Sequence, residues 1–480
     1  MARFVLLAIA VSIVTPAALG QQASPDARPD RLDKALITKA TPAPRGSASA
    51  RDAKQVKQYT IEQFMASTKL GGASFSHDEQ SLLFHNNQSG IFNVYSVPVA
   101  GGEPKQLTES TKESTYLVSS FPADARFLYT YDKGGNENSH LYLRELDGAE
   151  RDLTPGEKTK ANFLKWSHDR KSFFFSTNQR DPKFFDIFEM NIADMKPVLI
   201  YQDETGYDFG DVSDDKHFIA FKKNGASTAD SDVHLANLGT KEVKNITEHA
   251  GGDVGNEPAV FDPASKYLYF LSDEGGEFKY IARYELTTAK REVVEKAAWD
   301  VSETYFSHGG KYRVVVTNED ARTRIRVIEA ATNKPIELPA LPDGDITGVT
   351  ISDSEKRMAF YHNGSRSPNN LFAYDFASRQ VKKLTNSLNP EIDPADLVES
   401  RVIRYKSFDE LEIPAILYQP HNADAQNKVP AIVLVHGGPG GQARMPYTAL
   451  VQYLVNHGYV VLDVNNRGSS GYGKTFFTAD

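Results

Sequence analysis

The sequence predicts an all-β propeller of seven blades followed by the opening elements of an α/β domain. Three observations carry this reading. An apolar residue, a small turn rich in Ser, Asp and Pro, and a short apolar run recur together seven times. The pattern stops near Leu388, where long apolar runs separated by glycine loops replace it. Aromatic residues are plentiful, with 27 Phe and 22 Tyr in 480 residues, which favours strands.

At the start, Arg3 precedes the apolar run from Phe4 to Val14, and Ala18 and Gly20 stand just before Gln21. A short basic region, an apolar run too short to span a bilayer and a small-x-small site together predict a secretory signal peptide over residues 1–20. A membrane anchor is the alternative. Export to a periplasm or the medium is expected. The chain contains no Cys, which excludes disulfides and thiol catalysis. Residues 21–60, rich in Ala, Pro, Ser, Arg and Asp, lack an apolar period and predict a flexible leader. The net charge of −9 is spread without long runs, which argues against nucleic acid or an anionic membrane as the main partner.

Residues 61–390 hold the repeat. Its units begin at Phe75, Phe121, Trp166, Val212, Phe261, Phe306 and Ile351, at successive spacings of 46, 45, 46, 49, 45 and 45. A period of about 45 residues with several short strands per unit is the signature of a propeller. Leu107-Thr108, Leu153-Thr154, Ile246-Thr247 and Leu384-Thr385 close units. A lone sheet of this kind exposes two apolar faces, and seven closing into a ring cover all of them.

Residues 391–480 change character after the punctuation Asn389-Pro390 and Asp393-Pro394. Arg401 to Tyr405 and Ile413 to Tyr418 read as two strands around a polar turn. Val429 to Val435 is a continuous apolar run, expected to be a strand buried on both faces. A glycine loop, His436 to Gly441, follows. Pro446 marks a helix start, with Tyr447, Leu450, Val451 and Leu454 on one stripe and Gly458 as the stop. Tyr459 to Val464 is a further strand, completing a βαβ unit.

Gly468 to Thr475 reads G-S-S-G-Y-G-K-T and satisfies every fixed position of the phosphate-binding pattern G-x-x-x-x-G-K-[ST]. Asn465, Asn466 and Arg467 separate it from its strand, and an exported protein would meet little ATP. A P-loop NTPase is therefore a remote alternative.

Taken together, the two glycine loops point elsewhere. His436-Gly437-Gly438-Pro439 with Gln442, and then Asn465, Arg467, Gly468, Ser469, Gly471, Tyr472 and Gly473, resemble the H-G-G-P-x-x-Q and N-x-R-G-S-x-G-Y-G segments of the prolyl oligopeptidase family of serine peptidases. The likeness is to its acylaminoacyl-peptidase-like and dipeptidyl-peptidase-like branches. The resemblance implies a propeller capping an α/β-hydrolase domain, short peptides as substrates and no cofactor. It implies the Gly438 N–H, with Gly437 next, as an oxyanion donor, because acyl transfer needs backbone donors and glycine admits close approach. It implies structural roles for His436, Pro439, Gln442, Asn465, Arg467, Gly468 and Tyr472.

Two departures matter. No G-x-S-x-G elbow occurs in the sequence, and the family's serine, aspartate and histidine are expected beyond Asp480. The 480 residues are thus expected to be inactive as they stand. No Glu-Glu dipeptide occurs, which weakens the dipeptidyl reading. The twelve His show no metal-ligand spacing, and no metal is expected. A non-catalytic periplasmic propeller that binds partners is the other alternative. The sequence leaves oligomeric state open.

Overall fold

The computed structural model describes residues 56–479 except Pro339 and Pro439. Residues 70–383 form seven four-stranded sheets, each made of four strands consecutive in sequence. The seven repeat positions occupy one structural place. Phe75, Trp166, Val212, Phe261, Phe306 and Ile351 each end the first strand of a blade, and Phe121 follows directly after its own.

The local chemistry explains the reversal at this place. Ser76, Ser167 and Ser213 donate to Asp78, Asp169 and Asp215 at 2.6, 2.8 and 2.6 Å. The same hydroxyls accept the backbone N–H of Ser81, Ser172 and Phe218 in the returning strand. Glu79, Arg170, Lys216, Ser265, Gly310 and Glu355 then take up left-handed backbone to complete the turn. In every blade the first strand carries a register irregularity against the second. Such bulges increase strand twist, which a propeller blade needs.

The closing threonines also have a physical role. Thr108, Thr154, Thr247 and Thr385 accept the backbone N–H of Val94, Leu141, Val233 and Leu371 at 2.8–3.0 Å. Each buried hydroxyl extends the ladder between third and fourth strands by one bond.

Seven apolar clusters fill the seven gaps between blades, each contributed by two neighbours. The ring closes between blades 7 and 1 without a shared strand. Phe75, Leu82, Phe84, Tyr95 and Val97 pack there on Ala359, Tyr361, Leu371, Ala373 and Leu384. Tyr361 Oη donates to Gly72 O (2.6 Å), and Arg357 to Glu79 O (2.7 Å).

A second, four-stranded sheet follows, from Ser400–Lys406, Glu412–Tyr418, Ala431–Val435 and Val460–Val464. Its spatial order is first, second, fourth, third, and the last two are parallel around helix α2 (Ala449–Asn456). Two expectations are corrected here. The run ending at Val435 is not buried on both faces: its burial alternates, and Val433 and Val435 are exposed. It lies at the edge of the sheet formed by the described residues. The buried face of α2 is also shifted, to Val451, Gln452 and Val455 rather than the stripe through Leu450. Gln452 is drawn in by hydrogen bonds: it accepts from Val398 N and donates to Val398 O and to Ser365 O in blade 7.

The leader ends earlier than residue 60. Tyr59 is buried, its N–H bonds Asn456 Oδ1 (2.9 Å) and its hydroxyl bonds Asp396 (2.7 Å). Helix α1 (Ile61–Met65), opened by a capping box of Thr60 and Gln63, buries Phe64 against the α2 side rather than in a blade. The predicted signal peptide and the rest of the leader lie outside the described residues.

Phe84 is fully buried at the blade 1–blade 7 seam, where no strand is shared. Phe84→Ala is expected to cost about 3–5 kcal/mol, the usual range for truncating a packed core Phe. Equilibrium urea unfolding followed by circular dichroism checks it. A cost below about 1 kcal/mol would mean that the seam is not held by this cluster.

Candidate active site at the two glycine loops

The strand Ala431–Val435 delivers the chain to His436. Its Nε2 lies 2.8 Å from Ser469 Oγ and its Nδ1 2.9 Å from Gly437 O. Ser469 has one proton, and its hydroxyl donates to Asn466 O at 2.5 Å. His436 Nε2 is therefore the donor to Ser469. The imidazole joins the first glycine loop to the second.

Gly437 and Gly438 are exposed, and a Cβ on either would meet nothing within 4 Å. Among the described residues their lack of side chains is therefore not needed for packing; it leaves space in front of the backbone. The strained glycines are the next two. Gly440 has φ +73° and lies against Phe477, and a Cβ at Gly441 would overlap Gly437 O and the His436 ring. Pro439 lies outside the described residues.

The second loop holds the stem of the first. Asn465, fully buried, accepts from Ala443 N (2.7 Å), donates to Ala443 O (3.1 Å) and donates to Tyr472 Oη (2.9 Å). Burial pushes the Tyr472 hydroxyl up to about 12. Ser470 N donates to Gly441 O (3.2 Å) and Gly468, at φ +86°, donates to Phe476 O. Arg467 grips Asp409 with two bonds of 2.9 Å, reaches Ser407, and stacks on the exposed Phe408 ring. It thereby ties this loop to the turn of the preceding hairpin.

Gln442 points the other way. Its Oε1 accepts from Arg444 (3.0 Å) and from Asn318 of blade 6 (2.8 Å). The blade 6 turn around Asn318 reaches deep into the second domain. Ala321 is fully buried among Val398, Ile416, Tyr418 and Met445. Asp320 pairs with Arg404 at 2.7 Å.

Blade 5 supplies a second contact. Helix α3 (Lys474–Phe477) begins at Gly473, and Glu277 occupies its start: it accepts from Thr475 N (2.9 Å), Thr475 Oγ1 (2.6 Å) and, through its own carbonyl, Lys474 N (2.8 Å). These bonds hold the Glu277 carboxyl below its ordinary range. Lys474 Nζ lies 2.7 Å from Asp273 Oδ1 and from Asp253 O. In a phosphate-binding loop these N–H groups and this amine face the phosphates; here propeller carboxylates hold them.

Between blades 4–6 and residues 470–477 lies a cavity of about 300 Å³. Glu257, Asp273, Glu277 and Asp300 line it together with Lys222, Lys279 and Lys474. Glu257 is held below its ordinary range by Lys279 and Lys222 despite its burial. Among the described residues, no group of three His, Asp or Glu is placed to hold a metal, and no helix is long and apolar enough to cross a membrane.

Asn318, Ala321, Glu277 and Arg444 were not singled out from the sequence. Asn318 and Ala321 sit in N-E-D-A-R, an ordinary hairpin turn, and nothing local marks a turn that docks on another domain. Asp463 was missed too, although a carboxylate inside V-V-L-D-V is a readable anomaly.

Residues 108–387, more than half of the chain, match the family model described as prolyl oligopeptidase, N-terminal beta-propeller domain. The chain is 27% identical over 406 residues to dipeptidyl aminopeptidase BIII of Pseudoxanthomonas mexicana, covering 81% of this chain and 58% of that protein. It is 22% identical to dipeptidyl peptidase family member 6 of Caenorhabditis elegans, covering 86% and 61%. It thus spans about three-fifths of the length of these relatives. A solved prolyl endopeptidase superposes with a TM-score of 0.70 at 15% identity, over 87% of this chain and 64% of that one. A solved puromycin hydrolase does so with 0.69 at 15% identity, over 88% and 70%.

Asp463 stands in the strand Val460–Val464, and burial lifts its carboxyl to about 6, with His436 opposing. The folded value lies above the unfolded one near 3.8, so folding favours the protonated form. This penalty is absent below about pH 4 and complete above about pH 6, so stability falls as pH rises through that window. Asp463→Asn is expected to flatten that slope and to stabilise the protein at pH 8 by about 2 kcal/mol, allowing for partial solvent screening. Urea unfolding at pH 4.5 and pH 8 checks it; an unchanged difference between the two would place the carboxylate's pKa elsewhere.

Proposed function

The chain belongs to the prolyl oligopeptidase family, and from that premise we propose that it is the propeller and the opening part of a serine peptidase acting on short peptides. The observation that carries the proposal is the pair of stitched glycine loops with open space in front of Gly437 and Gly438. Acyl transfer develops negative charge on a carbonyl oxygen, and fixed backbone donors stabilise it more than they stabilise the ground state. Gly438 N–H is the proposed donor, with Gly437 next. The nucleophile, acid and base are expected beyond residue 480.

The propeller sits over the cavity and would exclude folded proteins. The reading includes export, resting on residues 1–20, which lie outside the described residues. Removal of residues from a free amino terminus is the second reading. One relative is named a dipeptidyl aminopeptidase and another a dipeptidyl peptidase, and the cavity is lined by both carboxylates and lysines. A phosphate-binding role is disfavoured by Glu277 and Asp273, which hold the groups a nucleotide would need.

Short chromogenic peptides with free and acetylated amino termini, offered to the protein with its complete α/β domain, test the proposal. Hydrolysis is expected, and free termini are expected to be preferred if the second reading holds. Gly438→Val, whose side chain would fill the space in front of that donor, is expected to lower kcat/KM about 100- to 1000-fold, the range for losing the use of an oxyanion donor. Absence of hydrolysis of every short peptide, or a loss below about threefold in the variant, would sink the respective claim. Titration with Mg²⁺–ATP is expected to show no binding up to the millimolar range.

A further inference from the structure

We propose that Asn318, a propeller residue, is a positioning residue for the H-G-G loop and makes that loop's geometry depend on its contact with the propeller. The inference rests on the acyl-transfer reading of the loop. The other ties on the loop come from its own domain: His436 to Ser469, Ala443 to Asn465, and Gly441 to Ser470. From the propeller, Asn318 reaches Gln442 Oε1 at 2.8 Å, next to the blade 6 contacts of Arg444 and Met445 further along the chain.

The orientation of this bond is fixed. Arg444 can only donate, so Gln442 must turn Oε1 toward it, and Asn318 must then present its NH₂. Arg444 also donates to Thr323, on the same blade 6 hairpin as Asn318. The remaining amide atoms, Asn318 Oδ1 and Gln442 Nε2, are buried without a well-formed hydrogen bond among the described residues. Two amides left half-satisfied are held by their surroundings rather than by their own optimum. A Cβ at Gly471 would overlap both amides, which requires glycine at that point of the second loop.

Gln442 directly follows Gly441, which is folded back against Gly437 O and His436. Displacing Gln442 therefore moves the turn that carries Gly437 and Gly438. Without the Asn318 bond the loop keeps its intradomain ties and loses the propeller's restraint on its last residue.

The test compares Asn318→Ala, Asn318→Asp, Gln442→Ala and the Asn318→Ala/Gln442→Ala pair in the protein with its complete α/β domain. Asn318→Asp is nearly isosteric and guards against misfolding of the alanine variant. Each single change is expected to lower kcat about 10- to 100-fold with KM within threefold, because the loop acts in the transition state. The double variant is expected to be no slower than the slower single one. Independently of activity, hydrogen exchange of residues 436–442 is expected to quicken in both Asn318 variants while that of α2 stays unchanged. Multiplicative losses, a rise in KM alone, or unchanged exchange would overturn the proposal. If the unaltered protein hydrolyses no peptide, the peptidase reading falls, and exchange alone decides whether Asn318 restrains the loop.

Discussion

The seating of one small residue, Ala321, governs how the two parts of this protein meet. It sits at the tip of the blade 6 hairpin, with both Asp320 and Ala321 in left-handed backbone, and it is buried in the apolar cluster of the second domain. Met445 N bonds its carbonyl at 3.3 Å. A larger side chain would have to displace that cluster, and a flatter turn would not reach it. With Ala321 in place, Asn318 falls beside Gln442, Thr323 beside Arg444 and Asp320 beside Arg404. The cavity walls follow, since one comes from blades 4–6 and the other from residues 470–477.

The charges on that cavity are largely spoken for. Glu257 faces two lysines, Asp273 faces Lys474, and Glu277 caps α3. Asp300 accepts the Lys279 N–H, yet burial keeps its carboxyl raised. The surface is therefore polar without a strong field of either sign. Such a wall suits the alternating donors and acceptors of a peptide backbone better than a multiply charged ligand.

The sequence reveals the ring because the ring repeats its own chemistry. Each unit needs an apolar residue at the end of an inner strand, a turn that can adopt left-handed backbone, and, in four blades, a threonine to finish the ladder. Those requirements recur at a fixed period and are local, so they can be read. The two glycine loops are readable for the same reason, since their conformation is set within a few residues. What stayed hidden is long-range. Nothing near Asn318 or Glu277 announces the second domain, and Gln452 looks like an ordinary exposed helical residue until Ser365 and Val398 are beside it. The apolar run ending at Val435 lies at a sheet edge among the described residues, and burial depends on neighbours that a local pattern does not name.

The bond from Tyr59 to Asn456 spans 397 positions of the chain. At ribosomal speeds of roughly 5–20 residues per second, Tyr59 emerges on the order of 20–80 s before its partner exists. Throughout that interval all seven blades can be made. Any closure of the ring within that interval rests on contacts between blades 1 and 7 and the segments flanking them, because Asn456 is still unsynthesised. Thr68 N meets Ser387 O, and Asn389 meets Gln63 and Ser67, as soon as the last blade is out. Only after α2 is made can Asn456 take the Tyr59 N–H. Chain order thus makes every residue of the ring available before the element that clasps its leading segment exists.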